Sequence, residues 1–385
     1  MTLIYQYLTK RRLAKVNINS FYYIPTKIIF GQNCIMQNPE VFSIGKKAFI
    51  ITGKSSRLNG SLQDVEAVLE KNKIEYEVFD GVKSNPDFEN VDMAAEKAKK
   101  VKADFIIAIG GGSVIDAAKA VAAMVTNGFE AEELFSKKIS NMPLPIIAIP
   151  TTAGTGSEVT PYSILTSHKD GTKKNFYNQH NFPVVALLDP RYTLSLSYEV
   201  TVDTMLDAFS HLVEGYFSKK YNILYQGFVE NGLKYLGKSL KDIEKGTIDI
   251  QTREMLLFSS LLGGIVIAHT GTSFVHAMGY PLTYYKDIPH GRANGILISE
   301  FLRFYLDSEK DKVLNVLGLL GLRSIEELEN IIDNLIKDKI VILKFTDEEL
   351  KHYTTIAFSS PNILNSSKPI NETGIYEIYK RIFLK

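Results

Sequence analysis

Residues 108–122, AIGGGSVIDAAKAVA, join the end of an apolar strand to the start of a helix. Gly110, Gly111, Gly112 and Ser113 stand at the junction. Glycine lets the backbone approach a ligand closely, and a helix N-terminus presents free N–H groups at the positive end of its dipole. An ordinary strand-to-helix turn rarely needs three consecutive glycines. The stretch therefore predicts a pyrophosphate-binding turn in an α/β sheet, although it lacks the GxGxxG pattern.

The chain around this turn alternates short apolar runs with helical patterns, which is typical of a parallel sheet with helices on both faces. After Asp189 and Pro190 only helical periodicity continues. The sequence thus predicts an α/β nucleotide-binding domain with a Rossmann-like parallel sheet, followed by an all-α domain. The predicted division is an N-terminal extension at 1–19, the α/β domain at 20–190 and the helical domain at 191–385. The predicted strands are 27–30, 47–52, 75–79, 104–109, 145–149 and 184–188.

Composition excludes several classes of protein. Lys and Arg number 44 against 43 Asp and Glu, a net charge of +1, whereas nucleic-acid and membrane-surface proteins carry a strong basic excess. Cys34 is the single cysteine, so no intrachain disulfide can form and a reducing, cytoplasmic location is expected. The extension at 1–19 has its basic cluster after the apolar residues, so we interpret it as a solvated segment and not as a secretory signal.

Residues 255–285 contain no Asp, Glu, Lys or Arg, and a stretch of that length could span a bilayer. It nevertheless includes two histidines, Pro281 and many Gly, Ser and Thr residues. We interpret it as helix buried on all sides in a large helical core, and we expect no membrane partner.

Two more loops follow predicted strands, at the carboxyl edge where ligands bind in such sheets. The first is PTTAGTGSE at 150–158, in which the hydroxyls of Thr151, Thr152 and Thr155 suit contacts with a ribose or an amide. Its plain alternative is an ordinary β-to-α loop. Asp116, one turn into the glycine-led helix, would repel phosphate, so we assign it to stabilising the helix start or to binding ligand hydroxyls.

The second loop is TGKSSR at 52–57. NAD-specific sites carry an acidic residue at such a strand end to bind the ribose 2′-hydroxyl. Here Gly53 occupies that place, followed by Ser55 and Ser56 and flanked by Lys54 and Arg57. The missing carboxylate and the added donors favour a 2′-phosphate, so NADP(H) is predicted in preference to NAD(H).

The stretch 201–216, TVDTMLDAFSHLVEGY, predicts one helix with Asp207 and His211 four residues apart on the same face. Such a pair is half of a metal site, and the nearby His276 and His290 offer the other half. Three imidazoles and one carboxylate suit Fe, Zn, Co or Ni better than Mg or Ca. Taken alone, an Asp–His pair on a helix is more often a surface ion pair or a side-chain hydrogen bond.

With these motifs together, the chain resembles the iron-containing (group III) alcohol dehydrogenases from about Phe21 to its C-terminus. The resemblance rests on four motifs in the same order: GGGSVIDAAK (110–119), PTTAGTGSEVT (150–160), DAFSHLVEGY (207–216) and HAMGYPLTYYKDIPHG (276–291). It implies NAD(P)-dependent interconversion of small alcohols or diols with aldehydes, and commonly a homodimer. It also implies a fold like that of dehydroquinate synthase, with the metal in the cleft between the domains.

The resemblance assigns residues to roles. It implies that Asp207, His211, His276 and His290 bind one Fe²⁺, or Zn²⁺ as in some members. By position, it implies these cofactor contacts: Asn85, Gly111, Gly112, Ser113, Thr151, Thr152 and Lys173.

One departure concerns the proton path. Many members carry a further histidine four residues after the third metal ligand, and here that residue is Tyr280. A tyrosine can pass a proton through its hydroxyl, but its ordinary pKa of about 10 makes it a poor exchanger near neutrality. Bulk water or His269 could take this role, since a continuous helix would place His269 on the same face as His276. The preferred interpretation of His269 is a satisfied polar residue in the helical core.

Other functions compete with this one. A glycerol-type polyol dehydrogenase would share the architecture, and so would a cyclase like dehydroquinate synthase. The cyclase needs a cluster of Lys, Arg and His, and only Lys286 stands near the histidines. A protein that binds NADP without catalysis would be favoured by loss of a metal ligand. Phe274, Tyr284 and Tyr285 could line an apolar substrate pocket, or could equally be packing residues.

Overall fold

A computed structural model describes residues 21–340 and 344–384. Six parallel strands form one sheet in the order β1-β8-β5-β4-β2-β3. A separate antiparallel hairpin is formed by β6 and β7. The strands are β1 Lys27–Phe30, β2 Lys47–Thr52, β3 Glu75–Phe79, β4 Phe105–Gly110, β5 Ile146–Pro150, β6 Tyr162–Ser167, β7 Thr172–Tyr177 and β8 Val185–Leu188.

The sheet forms because its central strands are apolar throughout. Every residue of β4 and β5 is buried, and the two strands pair in register from Ile106 opposite Ile146 to Gly110 opposite Pro150. Strands covered on both faces read as continuous apolar runs, as predicted. The helices of this region are α1 Cys34–Gln37, α2 Ser55–Leu58, α3 Ser61–Lys71, α4 Phe88–Val101 and α5 Gly112–Asn127.

The chain from α6 onward is helical, and the predicted fold class is confirmed. Its helices surround one large apolar core that extends from Val202 on α6 to Tyr379 near the C-terminus. The helices are α6 Tyr198–Tyr216, α7 Ile223–Glu244, α8 Ile250–Thr270, α9 Phe274–Lys286, α10 His290–Tyr305, α11 Lys310–Leu320, α12 Ile325–Ile340, α13 Asp347–Ser359 and α14 Glu372–Phe383. The predicted extension at 1–19 lies outside the described residues.

Two elements were not identified as such in the sequence, which gave no hairpin and treated residues 255–285 as one buried helical stretch without a separate α9. The hairpin β6–β7 turns at Asp170 and Gly171, where the φ angle of Gly171 is 62°. Asp-Gly between two β-rich runs is a recognisable hairpin signal. Helix α9 contains Pro281 in its interior, which sequence patterns take as a helix breaker.

Helix α8 is the one described helix that is long and apolar enough to cross a membrane. Its most apolar 18-residue window has a mean hydropathy of 1.3, and 72% of that window is buried inside the protein. The helix packs against both α6 and α7. These contacts match the predicted role of a buried core helix.

The loop after β5, residues 151–160, leaves the sheet and packs into the helical region. We call it the threonine loop. Ala153 and Val159 belong to the helical core, and the backbone of Gly156 touches that of Gly264 on α8. A Cβ atom on Gly156 would lie 2.4 Å from the Cα atom of Gly264. This contact fixes the threonine loop on the helical region and leaves no room for a side chain.

We predict that Gly264→Ala destabilises the protein by about 1–3 kcal/mol, because overpacking a tight contact forces the backbone to shift. The new Cβ atom would lie 2.6 Å from the carbonyl oxygen of Gly156 and 2.9 Å from Val159 Cγ2. Denaturant unfolding monitored by circular dichroism measures the change. Gly227→Ala on α7 is the matched control, because nothing lies within 4 Å of its Cβ position. The control should be neutral or more stable by up to about 1 kcal/mol, and equal midpoints for both variants would contradict the prediction.

Candidate metal centre and cofactor cleft

Helix α6 carries the first two predicted metal ligands. The helix starts at a cap in which Ser197 Oγ accepts a hydrogen bond from the backbone N–H of Val200, 3.2 Å away. Two turns later, Asp207 and His211 lie on one face, with Asp207 Oδ1 3.8 Å from His211 Nε2. Both side chains are buried, so the pair is not the surface ion pair that the sequence left open.

Helices α9 and α10 bring the other two histidines to the same point. The Nε2 atoms of His276 and His290 each lie 3.7 Å from Asp207 Oδ1. Nε2 of His276 is 3.0 Å from Nε2 of His211, and the two rings stack with centroids 4.8 Å apart. Residues separated by more than 80 positions in sequence thus present four ligand atoms to one small space.

A glutamate that the sequence prediction did not single out holds His276 in place. Glu214, three residues after His211 on α6, is fully buried and bonds His276 Nδ1 through Oε2. Its other oxygen, Oε1, accepts from the backbone N–H groups of Ser273 and Val275 at 2.9 and 2.8 Å and from the Ser273 hydroxyl at 2.8 Å. The i, i+3 spacing from His211 was a signal, but an acid at that spacing has many ordinary uses.

The other contacts of the site also fix ring orientation. His211 Nδ1 donates to the carbonyl oxygen of Gly154 in the threonine loop, at 3.2 Å. The amide nitrogen of Asn294 donates to Asp207 Oδ1 at 3.1 Å and lies 3.3 Å from Nε2 of both His276 and His290. Asn294 is a second contributor that the sequence prediction missed.

The charges of the site stabilise one another. Burial alone would raise the pKa of Asp207, but the three imidazoles around it lower that pKa below its usual value. Burial depresses the pKa of His276, and the Glu214 carboxylate more than offsets this and raises it. Burial and the nearby Lys173 hold the pKa of His290 well below its usual value.

These residues fit a divalent metal. The bonds from His211 to Gly154 and from His276 to Glu214 assign both ring protons to Nδ1, so each Nε2 carries a lone pair, and these two atoms are 3.0 Å apart. Two lone pairs this close repel each other, and a cation bound to both would relieve the repulsion. One carboxylate and three imidazoles form the donor set of a borderline metal such as Fe²⁺ or Zn²⁺, and the rings of His211 and His276 are oriented through Nδ1.

A cleft of about 1260 Å³ connects this centre with the glycine-led turn. All four candidate ligands line it, and so do six of the predicted cofactor contacts: Asn85, Gly112, Ser113, Asp116, Thr155 and Lys173. The predicted contacts outside its lining are Gly53, Ser55, Ser56, Gly110, Gly111, Thr151 and Thr152.

The glycines of the turn are needed for close packing. A Cβ atom on Gly110 would lie 2.5 Å from Val114 Cγ2, and one on Gly112 would lie 2.5 Å from Thr155 Cγ2. Gly111 caps α5 and has extended backbone geometry. A Cβ atom added to it would lie 3.0 Å from Thr152 Oγ1. The turn therefore packs the start of α5 directly against the threonine loop.

Asn85 is the centre of a second polar group on the cleft wall. It adopts left-handed backbone geometry, with a φ angle of 55°, and its N–H donates to Ser113 Oγ at 3.1 Å. Lys173 Nζ donates to Asn85 Oδ1 at 2.9 Å. Desolvation lowers the pKa of Lys173 to about 8, with Asp207 and Asp116 opposing the shift.

Ser56 and Asp116, which were also predicted to contact the cofactor, are hydrogen-bonded within the protein. The buried Ser56 hydroxyl bonds Thr52 Oγ1 at 2.7 Å and the carbonyl oxygen of Gly53 at 3.0 Å, so it stabilises the turn after β2. Asp116 accepts from the hydroxyl of Ser157 at 2.5 Å and from the N–H of Ile164 at 3.0 Å. These bonds join α5 to the threonine loop and to β6. The two predicted roles of Asp116, stabilising the helix start and binding ligand hydroxyls, both stay predictions.

The two candidate proton carriers differ in their surroundings. His269 donates from Nδ1 to the Ile265 carbonyl at 2.8 Å and accepts at Nε2 from the N–H of Tyr23 at 2.9 Å, which favours the interpretation as a satisfied packing residue. Helix α8 ends at Thr270, so the continuous helix that would align His269 with His276 does not form. Tyr280 instead stacks on His290, with ring centroids 5.6 Å apart, and burial raises its pKa.

Comparison with known proteins identifies the family. Residues 25–190 match the model of the family described as iron-containing alcohol dehydrogenase. Residues 201–383 match the model of the C-terminal part of the Fe-containing alcohol dehydrogenase family. The chain belongs to the iron-containing alcohol dehydrogenases. The predicted resemblance and the predicted enzyme class, an oxidoreductase, are both confirmed.

Similar proteins in this family include alcohol dehydrogenase 4 of Schizosaccharomyces pombe, 32% identical over 288 residues, which are 74% of this chain and 68% of that one. The 1,3-propanediol dehydrogenase of Citrobacter freundii is 28% identical over 380 residues, 94% of this chain and 98% of that one. The solved structure of an iron-containing alcohol dehydrogenase from Thermotoga maritima superposes with a TM-score of 0.86 at 35% identity, covering 95% of this chain and 100% of that one.

We predict that Glu214→Gln lowers metal affinity by about 10–100-fold, the usual effect of removing a group that orients a ligand histidine. The amide would disturb the bond that keeps the ring proton of His276 on Nδ1. Titration of the metal-free protein with Co²⁺, followed by visible absorption, measures the affinity. Glu96→Gln, an exposed position on α4, is the control and should bind like the parent protein. Equal affinities for the two variants would remove Glu214 from the metal centre.

Proposed function

We propose that this alcohol dehydrogenase interconverts small primary alcohols or diols with aldehydes, using Fe²⁺ at the four-ligand centre and preferring NADP(H). Zn²⁺ is the alternative metal and NAD(H) the alternative cofactor. The observation that carries the proposal is the convergence of Asp207, His211, His276 and His290 in the same cleft as the glycine-led turn. Metal and cofactor could therefore act on one substrate.

A metal held by these four residues supplies Lewis-acid polarisation of the substrate oxygen. The protein keeps the centre ready for it. Asp207 is the one negatively charged ligand, Glu214 and Gly154 orient His276 and His211, and Asn294 donates to Asp207. Because Glu214 and Asn294 are fully buried, bulk water does not compete for the hydrogen bonds that they make.

A bound nicotinamide supplies or accepts the hydride, and the protein determines where it lies. Strands β2, β4 and β5 are neighbours in the sheet, and their carboxyl ends lead to Gly53, the glycine turn and the threonine loop in that order. This row gives places for the adenosine ribose, the pyrophosphate and the nicotinamide along one edge. The threonine loop is the part of this row that contacts the metal centre, because Gly154 accepts a hydrogen bond from His211, so the nicotinamide would bind at that end.

The proton of the alcohol needs a separate path. Tyr280 is beside His290, but burial raises the pKa of its hydroxyl above the usual value, which makes it a poor exchanger near neutrality. His269 has both nitrogens bonded. We therefore assign the proton to water entering the cleft, and we assign Tyr280 to orienting His290 by stacking.

The substrate end of the cleft is mixed in character. Besides the candidate ligands, the cleft is lined by Ala277, Tyr280, Ile356 and Asn362. Phe274 packs inside the helical core against Phe301, so the structure places it among the packing residues. A pocket with both apolar and hydrogen-bonding groups suits short alcohols, and the polar group of Asn362 favours a diol as the second candidate substrate.

We further propose a homodimer located in the cytoplasm. The buried, free thiol of Cys34 and the family membership support this assignment. Light scattering coupled to size exclusion measures the mass in solution.

The decisive experiment is anaerobic aldehyde reduction by protein stripped of metal and reloaded separately with Fe²⁺ or Zn²⁺. We expect no turnover without metal, turnover on reloading, and faster loss of NADPH than of NADH with the same aldehyde. Short aldehydes and a 3-hydroxyaldehyde should be compared as substrates. Undiminished turnover after complete stripping would remove the metal from the mechanism.

The cofactor preference has its own test, since Gly53→Asp restores an acidic residue at the end of β2. The position admits a side chain, because the nearest atom to its Cβ, the carbonyl oxygen of Val82, is 3.7 Å away. A carboxylate repels a 2′-phosphate and binds a 2′-hydroxyl. We expect kcat/KM for NADPH to fall about tenfold relative to NADH, a change of about 1.4 kcal/mol. Gly53→Asn, uncharged and of the same size, is the control, and an equal shift in both variants would contradict the prediction.

A further inference from the structure

Lys119 is a fully buried cation on α5, two turns after the glycine-led turn. Its ammonium group donates to Ser157 Oγ at 2.7 Å, to the carbonyl oxygen of Tyr162 at 2.7 Å and to Thr160 Oγ1 at 3.3 Å. An ammonium has three donors, so all of them are used. Two of the three bonds end on the threonine loop and the third ends on the first residue of β6.

Asp116 joins the same group one turn earlier. Its Oδ1 accepts from the Ser157 hydroxyl and lies 3.6 Å from Lys119 Nζ, and its Oδ2 accepts from the N–H of Ile164. The carbonyl oxygen of Asp116 accepts from Ser163 Oγ at 2.7 Å. Helix α5 is therefore fastened to the threonine loop and to β6 by two charged side chains and their neutral partners.

The other side of the threonine loop faces the metal centre. The carbonyl oxygen of Gly154 accepts a hydrogen bond from His211 Nδ1–H. A Cβ atom there would lie 2.7 Å from the carbonyl oxygen of Thr204, so the loop runs directly against α6. Thr155 covers Gly112, which lines the cleft. A shift of this loop would change the orientation of a metal ligand and the shape of the cofactor turn together.

Lys119 also balances two buried carboxylates. Glu158 is buried, its Oε1 has no hydrogen-bond partner within the described structure, and burial raises its pKa to about 7 with Lys119 opposing the shift. Burial raises the pKa of Asp116, and Lys119 is the largest opposing influence. An uncompensated buried charge is strongly destabilising, so the ammonium keeps the loop in its ordered position.

We propose that Lys119 is a positioning residue for the dehydrogenase reaction, which through the threonine loop sets the orientation of His211 and the wall of the cofactor turn. It touches neither group itself. The inference rests on the proposed function, because it assigns Lys119 to the metal centre and the cofactor turn at once. Among the described residues, the threonine loop is the segment that connects the two side chains. Its Ser157 and Thr160 bond Lys119, and its Gly154 bonds His211.

The test compares Lys119→Met, which keeps the length of the side chain and removes charge and donors, with the parent enzyme. We expect kcat with Fe²⁺ to fall about tenfold or more, and Co²⁺ affinity of the metal-free protein to fall by a similar factor, with an altered visible spectrum. Lys312→Met is the matched control. Lys312 also bonds a backbone carbonyl, that of Tyr216, but it lies outside the cleft. Its kcat and Co²⁺ spectrum should equal those of the parent.

A second variant separates positioning from a purely electrostatic effect on stability. In Lys119→Met/Glu158→Gln, one uncompensated carboxylate is neutralised, so the thermal midpoint should recover in part. The donors to Ser157 and Thr160 remain absent, so kcat and the Co²⁺ spectrum should stay altered. Full recovery of both readouts, or unchanged readouts in Lys119→Met itself, would overturn the proposal.

If Lys119→Met does not fold, Ser157→Ala carries the test, because Ser157 bridges Lys119 and Asp116. It should weaken Co²⁺ binding and alter the spectrum in the same direction, and parent-like Co²⁺ binding would overturn the proposal. The Co²⁺ readout needs no turnover. Failure of the proposed function would show as an inactive parent enzyme, whereas failure of this inference would show as a parent-like metal centre in the variants.

Discussion

The cleft depends on one buried carboxylate surrounded by three imidazoles. Asp207 is almost fully shielded from water, and a carboxylate in that position is stable only beside positive charge or strong donors. Asn294 and the histidines supply part of this, and the proposed divalent cation would supply the rest. Helices α6, α9 and α10 must therefore meet at one point, which constrains the packing of the whole helical region.

The α/β region meets this centre through the threonine loop. Neighbouring strands place the ends of β2, β4 and β5 in a row, and the loop after β5 continues from that row into the helical core. The loop carries the Gly154 carbonyl to His211 on one side and receives Lys119 from α5 on the other. The ten residues of the threonine loop thus connect the glycine-led turn, where we propose that the cofactor binds, with the candidate metal centre.

The sequence predicted the sheet, the helical half and the meeting of four distant side chains, because strong apolar runs and four ordered motifs carry that information. It missed α9, because Pro281 disguises a helix that tertiary packing maintains. It missed Glu214 and Asn294 as well. Acids and amides on helices have many ordinary uses, and only the folded structure shows which atoms they reach. The sequence could not show, for the same reason, that the Ser56 hydroxyl is hydrogen-bonded to Thr52.

The contact between Gly156 and Gly264 bears on how this architecture can be divided. By chain order the threonine loop belongs to the α/β half, but by packing it belongs to the helical half. A recombination between two relatives at the apparent boundary near Asp189 would therefore separate a loop from the helix it was fitted to. A chimera of two relatives would therefore have to take both the threonine loop and α8 from the same parent for the Gly156–Gly264 contact to be kept.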